Sequence, residues 1–250
     1  MRCKNSTQHH LFIIPFYLVF SIAIVSCNTD NCLKSTGNSI SIIRELTTFN
    51  EIEINDVFTV YISHDSVSWI QIDGGEKLIP EIETNVLNKR LVISNNNSCN
   101  WLREYSRIKL VIYSDSINCL EVNGESDIFS IDTIKSNQLN IGVSSGIASI
   151  MLYLNCKSYN FSLKGGTGDY TFSGKVGVAC EYLMGTGHFN ADKLETGYTF
   201  ITSNTTGKCF IMATKEISAK IYSSGNIYYS GNPPLVHSTV TGSGKLINIE

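Results

Sequence analysis

The chain has 250 residues, of which 42% are hydrophobic and 16% charged, and its formal net charge is −3. The low charged fraction argues against an intrinsically disordered chain and against a coiled coil. The near-neutral balance, without a basic cluster, argues against a nucleic-acid partner, because binding phosphates requires a positive surface. The length admits one large β domain or two ordinary domains.

Residues 1–26 are predicted to be a secretory signal peptide. Arg2 and Lys4 precede an uncharged apolar run over residues 11–25, which is short for a membrane span. The run ends in the tetrapeptide IVSC at Cys27, which is similar to the lipobox of bacterial lipoproteins, where this cysteine is acylated and begins the mature chain. We therefore expect an exported protein that is anchored by lipid at Cys27 in the outer membrane. The sequence leaves open whether it faces the periplasm or the cell surface. An ordinary signal peptide followed by an incidental cysteine is the alternative.

The remaining cysteines do not form a recognisable motif. The segment 27–38 is small and polar, which is typical of a tether between a lipid and a domain. An even number of cysteines in an exported protein permits up to three disulfides, but the spacing is irregular and C-x-x-C is absent. We favour mostly buried thiols and leave the pairing open; the residues concerned are Cys32, Cys99, Cys119, Cys156, Cys180 and Cys209.

The segment 39–122 alternates apolar and polar residues, as half-buried strands do. Ile52 and Ile54, followed by Phe58, Val60 and Ile62, show the period of two. Pro80 permits only a short helical turn in this part of the chain. This half is predicted to be rich in strands but less regular than the half that follows.

The segment 123–250 contains a repeat marked by glycine. Sixteen of the 19 glycines lie from Gly124 onward. Seven units such as GTGDY and GTGHF share a third position, whose successive steps are 20, 22, 19, 20, 18 and 19 residues, and these positions are Ser126, Gly146, Gly168, Gly187, Gly207, Gly225 and Gly244. A period of about 20 residues with short strands predicts a β-solenoid of about seven coils in one domain, 39–250. The glycines are expected to supply a positive φ at each corner.

Several of these features together resemble one family. They are the lipobox, the FxxIEIxxxFxVxI pattern from Phe49 to Ile62, the repeated glycine units, and the endings IYYSGNPP (227–234) and TGSGKL (241–246). They are similar to the putative auto-transporter adhesin, head GIN domain family, which is abundant in exported proteins of Bacteroidota. The resemblance covers residues 40–250 and implies a right-handed single-stranded β-helix. It brings no catalytic residues, and its adhesin label is an inference from architecture.

Two sets of residues are candidates for binding. Asp169 and His188 each follow a repeat glycine and are expected to stack on one corner of the solenoid. The same register continues with Lys208, Asn226 and Lys245. This row of five residues is either a polar strip that binds a ligand or a corner exposed to solvent without a ligand. Eight tyrosines form either a carbohydrate-stacking face or an aromatic ladder between coils. They are Tyr153, Tyr159, Tyr170, Tyr182, Tyr198, Tyr222, Tyr228 and Tyr229.

The tripeptide Asp-(Ser/Thr)-apolar occurs at Asp65, Asp115 and Asp132 and matches the O-glycosylation pattern of exported Bacteroidota proteins. No catalytic constellation, metal motif or cofactor motif is present, so we expect no enzyme, metal or cofactor. The predicted function is a non-enzymatic adhesin or scaffold of the cell envelope. The alternatives are a carbohydrate-binding or polysaccharide-processing β-helix and a self-associating structural protein. The expected partners are the membrane, through the lipid, and a host or envelope glycan or protein or a second copy of the chain.

Overall fold

The fold is built from strands. The computed structural model describes residues 35–97, 107–144 and 147–250. These residues contain no α-helix and one short 3-10 turn, Ile79–Glu81, where Pro80 was expected to limit a helix. The predicted signal peptide, Cys27 and most of the tether lie outside the described residues. The strands of the described chain are β1 (Ser39–Glu45), β2 (Glu51–Ile54), β3 (Thr59–His64), β4 (Trp69–Gly75), β5 (Ile82–Leu87), β6 (Arg90–Asn95), β7 (Lys109–Ser114), β8 (Cys119–Val122), β9 (Asp127–Ser130), β10 (Ile134–Val143), β11 (Ser149–Leu163), β12 (Asp169–Gly185), β13 (His188–Thr205), β14 (Cys209–Ile221), β15 (Ile227–Ser230), β16 (Leu235–Val240) and β17 (Leu246–Asn248).

The C-terminal half forms a parallel ladder in which each strand pairs with the strand one repeat later. Ile150 lies opposite Tyr170, and Tyr170 lies opposite Phe189. This arrangement confirms the prediction of an all-β solenoid. The solenoid has about six turns, and the count of seven coils is not confirmed. The right-handed sense of the coil stays a prediction.

The N-terminal half joins the same stack but contains antiparallel strands as well. Strand β4 pairs antiparallel with β1 and with β7, and β5 pairs antiparallel with β6. In the described chain, antiparallel pairs occur only between residues 39 and 113, within the half expected to be less regular. Parallel pairing connects the halves, since β3 pairs with β9 and β8 pairs with β10.

Alternating inward residues of the strands form one continuous core. In β11 the inward set is Ile150, Leu152 and Leu154 before the corner at residues 157–158, and Tyr159 and Phe161 after it. Even-numbered residues therefore point inward before the corner and odd-numbered residues point inward after it. The alternation shifts because the chain passes from one face of the solenoid to the next within a single strand. An aromatic cluster fills the centre of these coils and consists of Tyr159, Phe161, Tyr170, Phe172 and Phe189.

The repeat glycines allow close approach between coils, and the expectation of a positive φ at these positions is wrong. A Cβ on Gly187 would lie 2.7 Å from the carbonyl oxygen of Gly168, and one on Gly207 would clash with the same atom of Gly187. Stacked backbones leave no room for a side chain at this corner. A positive φ occurs instead at the first glycine of two units, Gly166 and Gly185.

One of the seven marked positions, Ser126, differs from the glycine pattern. Ser126 is fully buried, and its hydroxyl donates to the carbonyl oxygen of Asp56 at 2.7 Å and accepts from the Phe58 amide at 3.0 Å. Gly146 lies outside the described residues. The bridge between Ile147 and Thr167 places Ala148 beside Gly168.

Candidate functional site

Asp169 and His188 are neighbours in the structure. They begin β12 and β13, are register partners in the parallel ladder, and are both exposed. The structure shows no hydrogen bond or ion pair between the carboxylate and the imidazole ring, although both residues are described. The corner is thus formed as expected, whereas a ligand role for Asp169 and His188 stays a prediction.

The same corner continues along the solenoid. The Phe189 amide donates to the carbonyl oxygen of Lys208, and the Lys245 amide donates to the Asn226 side chain at 2.9 Å. Lys208 and Lys245 are exposed. The row carries mixed charges on exposed side chains, which is typical of a solvated corner.

The eight tyrosines divide between the core and the surface, so neither of the two expectations describes all of them. Tyr159 and Tyr170 are fully buried in the aromatic cluster, where burial raises the pKa of Tyr170 to about 12. Tyr228 is half-buried and stacks on Phe210 with ring centroids 5.0 Å apart. Tyr153, Tyr182, Tyr198 and Tyr222 are exposed.

An outward aromatic patch lies on the flat sheet formed by β12 and β13. We define it as Tyr182, Tyr198 and Phe200, whose exposed fractions are 43%, 37% and 40%. Phe200 is the register partner of the exposed Cys180, and Tyr182 is the partner of Thr202, two residues beyond Phe200. Side chains in this diagonal relation lie within reach of each other. The aromatic patch therefore offers three partly exposed rings on one rigid surface.

Charged groups border the aromatic patch. The Lys215 ammonium lies 5.4 Å from the centre of the Tyr198 ring, within the range of a cation–π contact. Glu216 is the register partner of Tyr198 on β14. Aromatic rings surrounded by a polar rim are typical of protein–protein interfaces.

Glu181 is a buried carboxyl that sequence reasoning counted only among the repeat acids. It is 3% exposed, and its Oε2 has no hydrogen-bond partner among the described residues. Burial raises the pKa of Glu181 to about 8, so the group is largely protonated at neutral pH. The alternation of the strand could have predicted this burial, because Ala179 and Leu183, two positions to either side of Glu181, point inward.

The four described cysteines are free thiols. Cys156 and Cys209 are buried, Cys119 is half-buried and Cys180 is exposed. Burial raises the pKa of the Cys209 thiol to about 12, so this group is not a reactive thiolate. A framework of three disulfides does not form, since only Cys32 and Cys99 remain, and both lie outside the described residues.

The described residues contain no group of three metal-binding side chains. They also contain no helix of the length and hydrophobicity needed to cross a membrane.

A known family accounts for most of the chain. The family model described as "Putative auto-transporter adhesin, head GIN domain" matches residues 48–233. The chain belongs to this family. The resemblance drawn from the glycine units is therefore confirmed, and membership suggests an exported or cell-surface protein. None of the curated proteins matches the chain.

Several solved structures share the fold. A "putative adhesin" from Bacteroides fragilis is 24% identical, with a TM-score of 0.80, and the match covers 85% of this chain and 97% of that one. A "putative adhesin" from Parabacteroides distasonis is 19% identical, with a TM-score of 0.64 and coverage of 85% and 98%. A "putative lipid binding protein" from the same species is 18% identical, with a TM-score of 0.65 and coverage of 86% and 98%. At these identities the likeness establishes the fold alone.

Proposed function

We propose that the chain is an exported, lipid-anchored adhesin of the outer membrane that acts by binding rather than by catalysis. Membership of the head GIN family supports adhesion, and the IVSC tetrapeptide supports an anchor at Cys27. Two acids of the repeat strands do not form a catalytic pair, because Glu181 is buried and largely protonated while Asp169 is exposed at a corner. Glycan-cleaving enzymes instead place two carboxyl groups across one substrate bond.

The aromatic patch is the observation that carries this proposal. Tyr182, Tyr198 and Phe200 expose large rings from the face of a parallel sheet, where no neighbouring strand of the described chain covers them. Tyrosine and phenylalanine supply contact area at a low entropic cost, and such rings dominate the energetics of many interfaces. The rigid ladder holds the rings in place before the partner arrives, which lowers the cost of binding.

Binding of the full chain to arrays of extracellular matrix proteins and glycans tests this proposal. We expect saturable binding that falls at least about tenfold in the double variant Tyr182→Ala, Phe200→Ala. Tyr153→Ala is the matched control, because Tyr153 is also exposed, at 49%, but lies before the corner of β11 on another face. A second double variant, Asp169→Ala with His188→Ala, tests the corner. Equal binding by all variants, or a blank array with a folded protein, would contradict adhesion through the aromatic patch.

Self-association through the last coil is a second candidate, and strand β16 favours it. All six residues of β16 are exposed, and within the described chain it is paired only with β14. The strand has no lysine, glutamate or proline, the residues that commonly protect sheet edges. In each copy Val236, Ser238 and Val240 lie in register over buried residues of β14. An antiparallel pair of two β16 strands centred on Ser238 would set Val236 opposite Val240, so that these residues of both copies share a face.

Sedimentation of the full chain over a range of concentrations separates this candidate from a monomeric adhesin. We expect a mass that rises with concentration and a return to monomer in Val236→Lys, which places a charge on the edge. Val67→Lys is the control, since Val67 is 60% exposed in a turn outside the strands. A mass that stays monomeric in the unmodified chain at every concentration would contradict self-association.

A further inference from the structure

A cleft of about 380 Å³ lies at the corner where β3 and β7 end and β10 begins. Its volume falls within the range of about 300–1,000 Å³ that is typical of small-molecule sites. The apolar part of the lining comes from Ile62, Ile117 and Ile134, which belong to three different coil segments and are buried. The remaining lining residues are polar or charged, so the cleft combines an apolar base with a hydrogen-bonding rim.

Asp132 is held in a fixed orientation on this rim. Its Oδ2 accepts a hydrogen bond from the Ser63 hydroxyl at 2.6 Å and one from the His64 amide at 3.2 Å. These two donors lower the pKa of Asp132, which is therefore ionised at neutral pH. The other oxygen, Oδ1, has no bond to any described residue. A pre-oriented carboxylate thus presents one free acceptor atom to the cleft.

Further polar groups face the same space without partners of their own. Asp115 and Lys135 are exposed lining residues, and neither side chain forms a hydrogen bond or ion pair with another described residue. Ser116 and Thr133 add hydroxyl groups to the lining. Two of the three Asp-(Ser/Thr)-apolar tripeptides of the sequence are therefore brought together here by adjacent coils. The third begins at Asp65, directly after the lining residue His64, and its amide donates to the carbonyl oxygen of Ser114, but Asp65 does not itself line the cleft. The use of these tripeptides for O-glycosylation stays a prediction.

An aromatic pair lies beside the cleft. Trp69 stacks on Tyr113 with ring centroids 3.7 Å apart and planes inclined by 9°. Tyr113 is the register partner of Ser63 and precedes the lining residue Ser114. The Trp69 indole nitrogen donates to the carboxylate of Asp65 at 3.0 Å, which fixes the ring at the start of β4.

We propose that this cleft binds a neutral or amino hexose unit of a glycan. A free carboxylate oxygen and an ammonium group match the adjacent hydroxyls of a sugar ring, and the isoleucines match its C–H face. The lining holds the carboxylates of Asp115 and Asp132, the ammonium group of Lys135 and the imidazole of His64. With the imidazole neutral, the local charge favours neutral and cationic sugars and disfavours uronic acids. A metal ion is a poor alternative, because the described residues contain no group of three metal-binding side chains. The inference does not depend on the aromatic patch.

Saturation-transfer NMR on the full chain tests the proposal with four probes, namely D-glucose, D-galactose, D-glucosamine and D-glucuronate. A single hexose unit offers few contact atoms, so we expect affinities in about the millimolar range. We expect the highest affinity for D-glucosamine and a lower affinity for the two neutral hexoses. D-glucuronate is expected to show no detectable saturation transfer. Asp132→Asn keeps an acceptor for Ser63 but removes the charge, and we expect it to weaken binding by about tenfold or more.

Two control variants test whether the hexose binds at this cleft and not elsewhere on the chain. Asp192→Asn removes an exposed carboxylate from a distant coil and should leave the titration unchanged. Tyr182→Ala should also leave it unchanged, so a failure of the aromatic patch and a failure of the cleft can be told apart. Circular dichroism of each variant establishes that the fold is intact. The proposal is overturned if no hexose shows saturation transfer, if D-glucuronate binds as well as D-glucosamine, or if folded Asp132→Asn binds like the unmodified chain.

Discussion

Glu181 lies opposite Phe161 in the parallel ladder, so a buried carboxyl group and a buried aromatic residue occupy one row inside the solenoid. The next strand places Ile201 on its other side. Both neighbours are buried, and the electrostatic influence of Glu181 reaches the Tyr159 hydroxyl and the Cys209 thiol. A protonated carboxyl is tolerated in such surroundings, whereas an ionised one is costly.

Glu181 should therefore make stability fall as the pH rises. Burial raises its pKa to about 8 in the folded chain, against an ordinary value of 4.5. Between these values the folded chain holds a proton that the unfolded chain has lost, so the free energy of unfolding decreases with pH and levels off above pH 8. The full effect is on the order of 4 to 5 kcal/mol.

Chemical denaturation of the unmodified chain and of Glu181→Gln at pH 5 and at pH 8 measures this effect. The variant cannot ionise at this position, so we expect its stability relative to the unmodified chain to improve by several kcal/mol over that interval. If the free energy of unfolding changes with pH by the same amount in both proteins, Glu181 is already ionised in the folded chain.

Gly207→Ala should strongly destabilise the solenoid. The added Cβ would lie 2.9 Å from the carbonyl carbon of Gly187 and still closer to its oxygen, so two coils would have to separate. We expect a loss of about 2 kcal/mol or more in the free energy of unfolding. Gly165→Ala is the matched control, because its nearest atom is the Ser144 carbonyl oxygen at 3.9 Å. Similar melting temperatures for the two variants would contradict close approach as the reason for the repeat glycines.

Ser126→Ala should remove a connection between two coils. The Ser126 hydroxyl is the hydrogen-bond partner of the Phe58 amide and of the Asp56 carbonyl group, and both bonds are buried or partly buried. Leaving such groups unpaired costs about 1–3 kcal/mol. Thermal and urea unfolding measure the loss, with Ser243→Ala as a control at an exposed serine. A loss as small as that of the control would mean that water replaces the hydroxyl.

Cys27→Ala should release the protein from the membrane if Cys27 carries the lipid. Metabolic labelling with a radioactive fatty acid, followed by separation of membrane and soluble fractions, measures both the modification and the anchor. We expect loss of the label and a soluble product, whereas Cys180→Ala should keep the label and the membrane association. Label on the Cys27→Ala variant would contradict the predicted lipidation site.

The class of fold could be predicted from local sequence patterns, because both signals arise from the backbone. Alternation in segments such as Ile52 to Ile62 reflects the two faces of a strand, and the spacing from Gly168 to Gly244 reflects the length of a coil. The family resemblance followed from the same units. The reason why glycine is needed at these positions could not be predicted. A side chain at Gly207 would clash with the Gly187 carbonyl group only because the two coils are stacked.

The sequence by itself determined an all-β chain with a repeat of about 20 residues, because strand period and coil length are local properties. Only the tertiary structure decided which side chains are inside. Tyr153 is exposed and Tyr159 is buried although the two are an even number of positions apart, since the corner at residues 157–158 reverses the alternation. The tertiary structure also brought Asp132 to Ser63, because stacking joins residues that are 69 positions apart in the chain.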